Sequence, residues 1–100
     1  MSRPKTCRCI NCHPDVSYFK PKGIPLIELE EVCLNMDEVE AIRLCDLEGR
    51  YHEEAAREMK VSRATFGRIV NEARRKMAEA LIRGKALKIE THDIQKEDTE

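Results

Sequence analysis

Apolar residues recur with a helical period from His52 to Asn71, in HEEAAREMKVSRATFGRIVN, and the period breaks once, at Lys60. Ala55, Ala56 and Met59 line one short helix, Val61 fills a turn, and Phe66, Ile69 and Val70 line the next. This spacing predicts two amphipathic helices joined by a tight break, the layout of a helix-turn-helix. Ala56 is the small residue that steeply crossing helices need. Ser62 stands where an N-cap oxygen can accept from the free N–H groups of the following turn. Residue 60 then takes a left-handed conformation, which in Lys60 costs about 1 kcal/mol.

The same periodicity extends in both directions. Phe66, Ile69, Val70, Ala73, Met77, Ala80 and Leu81 hold one stripe from Arg63 to about Arg83, with Glu72–Lys76 and Glu79–Arg83 as i,i+4 pairs and Gly84 as the stop. The first half of that helix suits a groove, and its second half packs on another helix or a partner. Upstream, Asn35 and Glu38 form a capping box, Leu34 and Val39 a hydrophobic staple, and Val39, Ile42, Leu44 or Cys45, and Leu47 carry a helix over 36–48 to Gly49. The helix over 52–59 gains one pair, Glu53–Arg57. LIELEEVCL, residues 26–34, fits a strand or a short helix, and Pro25 with the β-branched Ile27 and Val32 favours the strand. ALKIE after Gly84 reads as a strand able to pair with residues 27–33, within the chain or across a dimer. The expected fold is mainly α: a three-helix helix-turn-helix domain over 26–90 with short flanking β-strands. An irregular, cysteine-containing arm over 1–25 precedes it, and a disordered acidic tail over 91–100 follows.

One hundred residues with two Tyr, two Phe and no Trp can bury one modest aliphatic core, so dimerisation is expected to help. No apolar run is long enough to span a bilayer and MSRPKTCRC is no secretory signal, which points to the cytoplasm and away from a membrane. The net charge of −1 hides a segregation. Residues 1–27 carry +4 (5 basic, 1 acidic), 28–56 carry −8 (2 basic, 10 acidic), 57–88 carry +7 (10 basic, 3 acidic) and 89–100 carry −4 (1 basic, 5 acidic). A phosphate backbone meets the local field of the basic block rather than the total.

That block coincides with the second helix of the central pair. Arg63 and Arg68 lie on its first two turns, where arginine can bond guanine O6 and N7, and Asn71 one turn on can read adenine. Ala64 shares this face and Gly67 permits close approach. Arg57, Lys60, Ser62, Thr65, Arg74 and Arg75 fall where side chains contact phosphates. Equally, each arginine alone fits a solvated helix face; their clustering opposite Phe66 and Ile69 is what favours double-stranded DNA. Cys7, Cys9, Cys12 and His13 form a C-x-C-x2-C-H cluster. Its donors suit a soft ion, zinc or iron, with a fourth ligand such as Cys33 or one from another chain, and they equally suit reduced thiols in an irregular arm. Cys33 and Cys45 sit in apolar patterns as small core residues. No acid–base pair, activated nucleophile or phosphate-binding glycine loop can be placed, and His52 and His92 fall at an exposed helix start and in the tail, so an enzyme is not expected.

The succession YFKPKGIPL, LNMDEVEAIRLCDLEG, EEAAREMKVSRATFGRIV and GKALKIE, from about Tyr18 to Glu90, resembles the UPF0251 (DUF134) family of predicted DNA-binding proteins. It covers roughly three quarters of the chain, and its centre looks like the fourth-region helix-turn-helix of sigma factors. The resemblance implies a sequence-specific DNA-binding regulator of transcription, expected here as a homodimer. The family pattern prefers Gly where this chain has Lys60, and relatives keep only part of the cysteine pattern, so it does not decide for or against a metal. Two further readings stand beside DNA binding. One is a metal- or thiol-responsive regulator acting through the arm; the other is a sigma-like module that docks on transcription machinery through the acidic block.

Overall fold

The computed structural model describes residues 16–90. Along the chain run β1 (Tyr18–Phe19), a 3-10 turn (Leu26–Glu28), β2 (Glu31–Leu34), α1 (Met36–Ile42), a π-helical turn (Arg43–Leu47), α2 (His52–Met59), α3 (Arg63–Arg83) and β3 (Ala86–Ile89). The fold is mainly helical with a small three-stranded sheet. Cys7, Cys9, Cys12 and His13 lie outside the described residues, as do His92 and the acidic tail.

Each helix begins and ends for a local reason. Asn35 Oδ1 accepts from the Glu38 N–H at 2.9 Å while Glu38 Oε1 accepts from the Asn35 N–H at 3.0 Å, the reciprocal capping box that starts α1. The helix does not stay α-helical to residue 48. It widens into the π-helical turn, where the Glu48 N–H reaches the Arg43 carbonyl at 2.9 Å. The wider turn rotates the stripe, so Leu44 is buried whereas Leu47, expected on the apolar face, stands 79% exposed. Gly49, at φ 74°, then ends the segment as expected.

The core joins these helices through Ala41, Leu44, Ala55, Ala56, Met59, Phe66 and Val70, with Cys45, Val61 and Ile69 partly buried against it. His52 is half-buried rather than exposed: its ring meets Phe66 edge-on at 5.2 Å between centroids. Two carboxylates are also inside. Glu40 is fully buried and accepts from Arg43 Nε and Nη2 at 3.0 and 2.8 Å. Glu38 receives Lys76 Nζ at 2.9 Å, and the same ammonium donates to the Cys33 carbonyl at 2.8 Å. Lys76 is thereby tied to α1 and β2 rather than to Glu72.

The sheet has order β1-β3-β2. β3 pairs parallel with β2, Val32 opposite Leu87 and Leu34 opposite Ile89, and the three helices form the crossover that parallel neighbours require. The pairing of the 86–89 segment is therefore made within the chain. Two strand expectations need correction. Leu26–Glu28 is a 3-10 turn with Ile27 92% exposed, and β2 starts only at Glu31. The arm is not wholly irregular either: Tyr18–Phe19 pairs antiparallel with β3, and the Tyr18 hydroxyl donates to Glu31 at 2.7 Å.

Candidate nucleic-acid interface

The turn between α2 and α3 is fixed by its own backbone. Lys60 is left-handed, φ 62° and ψ 44°, and is the one non-glycine residue with positive φ among those described. Its N–H bonds the Arg57 carbonyl at 3.1 Å, and the Val61 N–H bonds that of Ala56 at 3.0 Å. Those two bonds make a Schellman closure, sealed by Val61 against the core. Ser62 then starts α3: its Oγ accepts from the Thr65 N–H at 3.0 Å. The Ser62 hydroxyl also donates to Thr65 Oγ1 at 2.9 Å, and that oxygen accepts from Arg68 Nη2 at 3.2 Å. This chain of three polar groups, running from the cap to the second turn, sets the direction of Arg68. Ser62 and Thr65 thus serve the helix end as well as facing out from it.

Phe66 and Val70 anchor α3 from behind. In front, Arg63, Ala64, Arg68 and Asn71 are exposed and Gly67 is half-exposed. Ala64, Arg68, Asn71 and Arg75 follow one another at i, i+4, i+7 and i+11 and so share the face turned from the core. A Cβ built on Gly67 meets nothing within 4 Å. No packing among the described residues therefore calls for glycine there, although it costs a helix interior roughly 0.5–1 kcal/mol. The first turn of α3 carries no acidic residue of its own to offset the positive end of its dipole.

The cations of this region divide by partner. Among the described residues Arg57, Lys60 and Arg63 are exposed and make no ion pair, and Arg68 touches only the Thr65 hydroxyl. Arg74 and Arg75 stand differently. Arg74 grips Asp46 with Nη2 at 2.7 Å and Nε at 3.2 Å, and its Nη2 also lies 3.1 Å from Cys45 Sγ. The guanidinium bonded to Asp46 holds that carboxyl below the usual carboxylate range, and the pairing in turn raises Arg74. Arg75 bonds Glu72 at 2.8 Å and Glu79 at 3.0 Å, which raises it further above its ordinary value. Glu79 meets Arg75 and, at 2.7 Å, Lys85, so the Glu79–Arg83 and Glu72–Lys76 pairs suggested by spacing give way to these. Glu53–Arg57 is likewise not formed.

Two residues that periodicity singles out for nothing join the site. Tyr51, 79% exposed at the N-cap of α2 without capping it, lines a hollow with Cys45, Arg50, His52, Glu53 and Arg63. The signal available in the sequence was an aromatic ring on no apolar stripe, flanked by Arg50 and His52. Arg50 itself pairs with Glu48 at 3.2 Å and with Glu58. Much of the acidic block is engaged within the fold, with Glu38 and Glu40 buried and Glu30, Asp46 and Glu48 in ion pairs. Among the described residues no three His, Cys, Asp or Glu side chains gather as metal ligands, and no helix is long and apolar enough to cross a membrane.

The family described as "Protein of unknown function DUF134" matches residues 1–97. A UPF0251 protein of Prosthecochloris aestuarii is 54% identical over 96 residues, covering 96% of this chain and 62% of its own length. One from Thermoanaerobacter pseudethanolicus is 54% identical over 90 residues, 90% of this chain and 76% of its own. Another, from Caldanaerobacter subterraneus, is 57% identical over 90 residues with the same two shares, 90% and 76%. The chain thus spans between about three fifths and three quarters of the length of these relatives. No solved structure matches.

Proposed function

The chain belongs to the DUF134 (UPF0251) family, and on that footing we propose that it is a sequence-specific double-stranded DNA-binding protein, a regulator of transcription that lays the first turns of α3 in the major groove. The observation that carries this reading is the division of cations. Arg57, Lys60, Arg63 and Arg68 stand together around the α2–α3 turn without a carboxylate partner among the described residues, while Arg74, Arg75 and Lys76 further along the same helix are paired. Like charges left uncompensated on a rigid helix end are costly to hold together and suit a polyanion. Gly67 supports the same reading, since an open helix-interior glycine lets a surface approach the backbone.

In this arrangement Arg63, Arg68 and Asn71 face base edges, with Arg68 directed by the Ser62–Thr65 pair. Lys60, Arg57 and the Tyr51 hydroxyl take phosphates, and the N-terminus of α3 adds its free N–H groups. The layout is that of a sigma-like helix-turn-helix, and the reading assigns the protein no chemical step of its own. Duplexes recovered from a random pool and titrated with variants test it. Arg63→Ala and Arg68→Ala are each expected to cost roughly 1–3 kcal/mol and to relax preference at one position. Unchanged duplex binding by the double variant overturns the groove assignment.

A further inference from the structure

The apolar stripe of α3 runs on past the helical core, and near the end of the helix it comes to the surface. Leu81 is 81% exposed and Met77 38%, while Ile82, 78% exposed, continues the outward face that is basic in the N-terminal half. Phe19 on β1, 53% exposed, lies in the same hollow as Met77 and Leu81. Leu81 rises next to a hollow lined by Phe19, Met77 and Leu87. Those three residues also line a second, adjoining hollow whose other walls are Leu34, Val39, Ile42 and Ile89, almost wholly apolar. A protruding leucine thus stands beside an open apolar depression.

We propose that this face docks a second copy of the chain about a two-fold axis, Leu81 of each protomer entering the hollow of the other. A two-fold interface must be self-complementary, and a knob beside its own hole meets that demand in one patch. Of the two lysines that line the hollow, Lys85 is bonded to Glu79 at 2.7 Å and to Glu30 at 3.1 Å, and Lys20 donates to the Pro21 carbonyl at 3.0 Å, so one cationic charge per protomer is left at the rim without a carboxylate among the described residues. Distance argues for the pairing, and here the inference rests on the DNA reading. From Leu81 back to Gly67 is 14 residues of helix, or ~21 Å at ~1.5 Å per residue. Two copies joined near Leu81 can therefore place their α3 N-terminal halves up to ~42 Å apart, which spans the ~34–36 Å between half-sites one helical turn apart. The docking surface lies at the far end of α3 from the basic turns and leaves both free for a palindrome.

The test separates association from DNA binding. Sedimentation equilibrium of the full chain without DNA, from about 1 to 100 µM, is expected to show a dimer. Leu81→Glu, at an exposed position, is expected to keep the helical circular dichroism and to raise the dimer dissociation constant at least about tenfold, ~1.4 kcal/mol. Met77→Glu is the second variant. A wild-type chain still monomeric at about 100 µM overturns the proposal, as does a Leu81→Glu protein that dimerises as tightly as wild type. So does protection of Met77 and Leu81 from hydrogen exchange that vanishes when residues 1–15 are removed, because the chain's own arm then covers the face. The monomeric variant should still bind a single half-site while losing its preference for paired half-sites. A dimer that dissociates as expected but binds no duplex sinks the DNA reading and leaves the interface standing.

Discussion

Gly67 and Asp46 give two single-residue tests of opposite kind. Gly67 is a helix-interior glycine whose missing side chain leaves open space among the described residues, so no packing there depends on it. Gly67→Ala is expected to raise stability by roughly 0.5–1 kcal/mol in urea unfolding, through helix propensity alone. If the backbone lies against a duplex there, the same methyl group weakens DNA binding, so stability and affinity move apart. A gain in both would remove the case for close approach. Asp46 is governed by Arg74, whose bonds to it hold the carboxyl below its ordinary range. A depressed carboxyl stabilises the fold above its unfolded pKa and loses that contribution as pH falls through the folded value. Asp46→Asn is therefore expected to cost at most ~1 kcal/mol at neutral pH, the pair being about two fifths exposed. The deficit relative to wild type should shrink to nothing in the acid range below pH ~4. A deficit constant from pH 7 down to pH 3 would mean the pair is not its source.

Within α3, neighbouring cations have different partners, and the difference decides what each contributes. Lys76 is one-fifth exposed and holds the buried Glu38 and the Cys33 carbonyl, tying α3 to the start of α1 and to β2. Arg75 is 57% exposed and pairs only along its own helix. Lys76→Met leaves Glu38 buried with its capping bond alone and is expected to approach the ~3–5 kcal/mol lost when a buried pair is broken. Arg75→Ala should cost well under ~1 kcal/mol. Thermal melts of the two variants side by side check this ordering, and equal shifts would refute it. The pairings of Arg74 and Lys76 were not legible in the sequence, because their partners lie 28 and 38 residues away and spacing along a helix cannot report them. What was legible is local. The ends of α2 and α3, the capping box at Asn35, the left-handed Lys60 and the strand after Gly84 follow from periodicity and cap chemistry within one or two turns. Failures also had local causes: β1 is two residues long and shows no period, the π-helical turn shifted Leu47 off the apolar face, and Leu26 and Ile27 are apolar residues left exposed. For the site, the exposed arginines were legible, whereas their division into paired and unpaired sets needed the tertiary structure.

At the scale of the whole molecule, a chain of net charge −1 is expected to bind a polyanion only through a small, defined set of cations. The basic block of 57–88 overstates that set, because Arg74, Arg75, Lys76 and Lys85 are already bonded to carboxylates. Counting only Arg57, Lys60, Arg63 and Arg68 gives four charges near the α2–α3 turn without a carboxylate partner among the described residues. Counterion release then sets the slope of log K against log salt at about −0.9 for each charge engaged with B-DNA, so about −3 to −4 per chain. Were Arg74, Arg75 and Lys76 to leave their partners and join the contact, seven charges would give a slope near −6. The slope thus reports whether the internal pairs survive binding. Titration of one duplex between about 50 and 300 mM salt distinguishes the two. A steep slope would show that the ion pairs joining α3 to α1 and to the π-helical turn open on the duplex. A shallow one means that they hold α3 rigid while its first turns do the binding. In the shallow case, Arg74→Ala should alter stability and leave the slope unchanged.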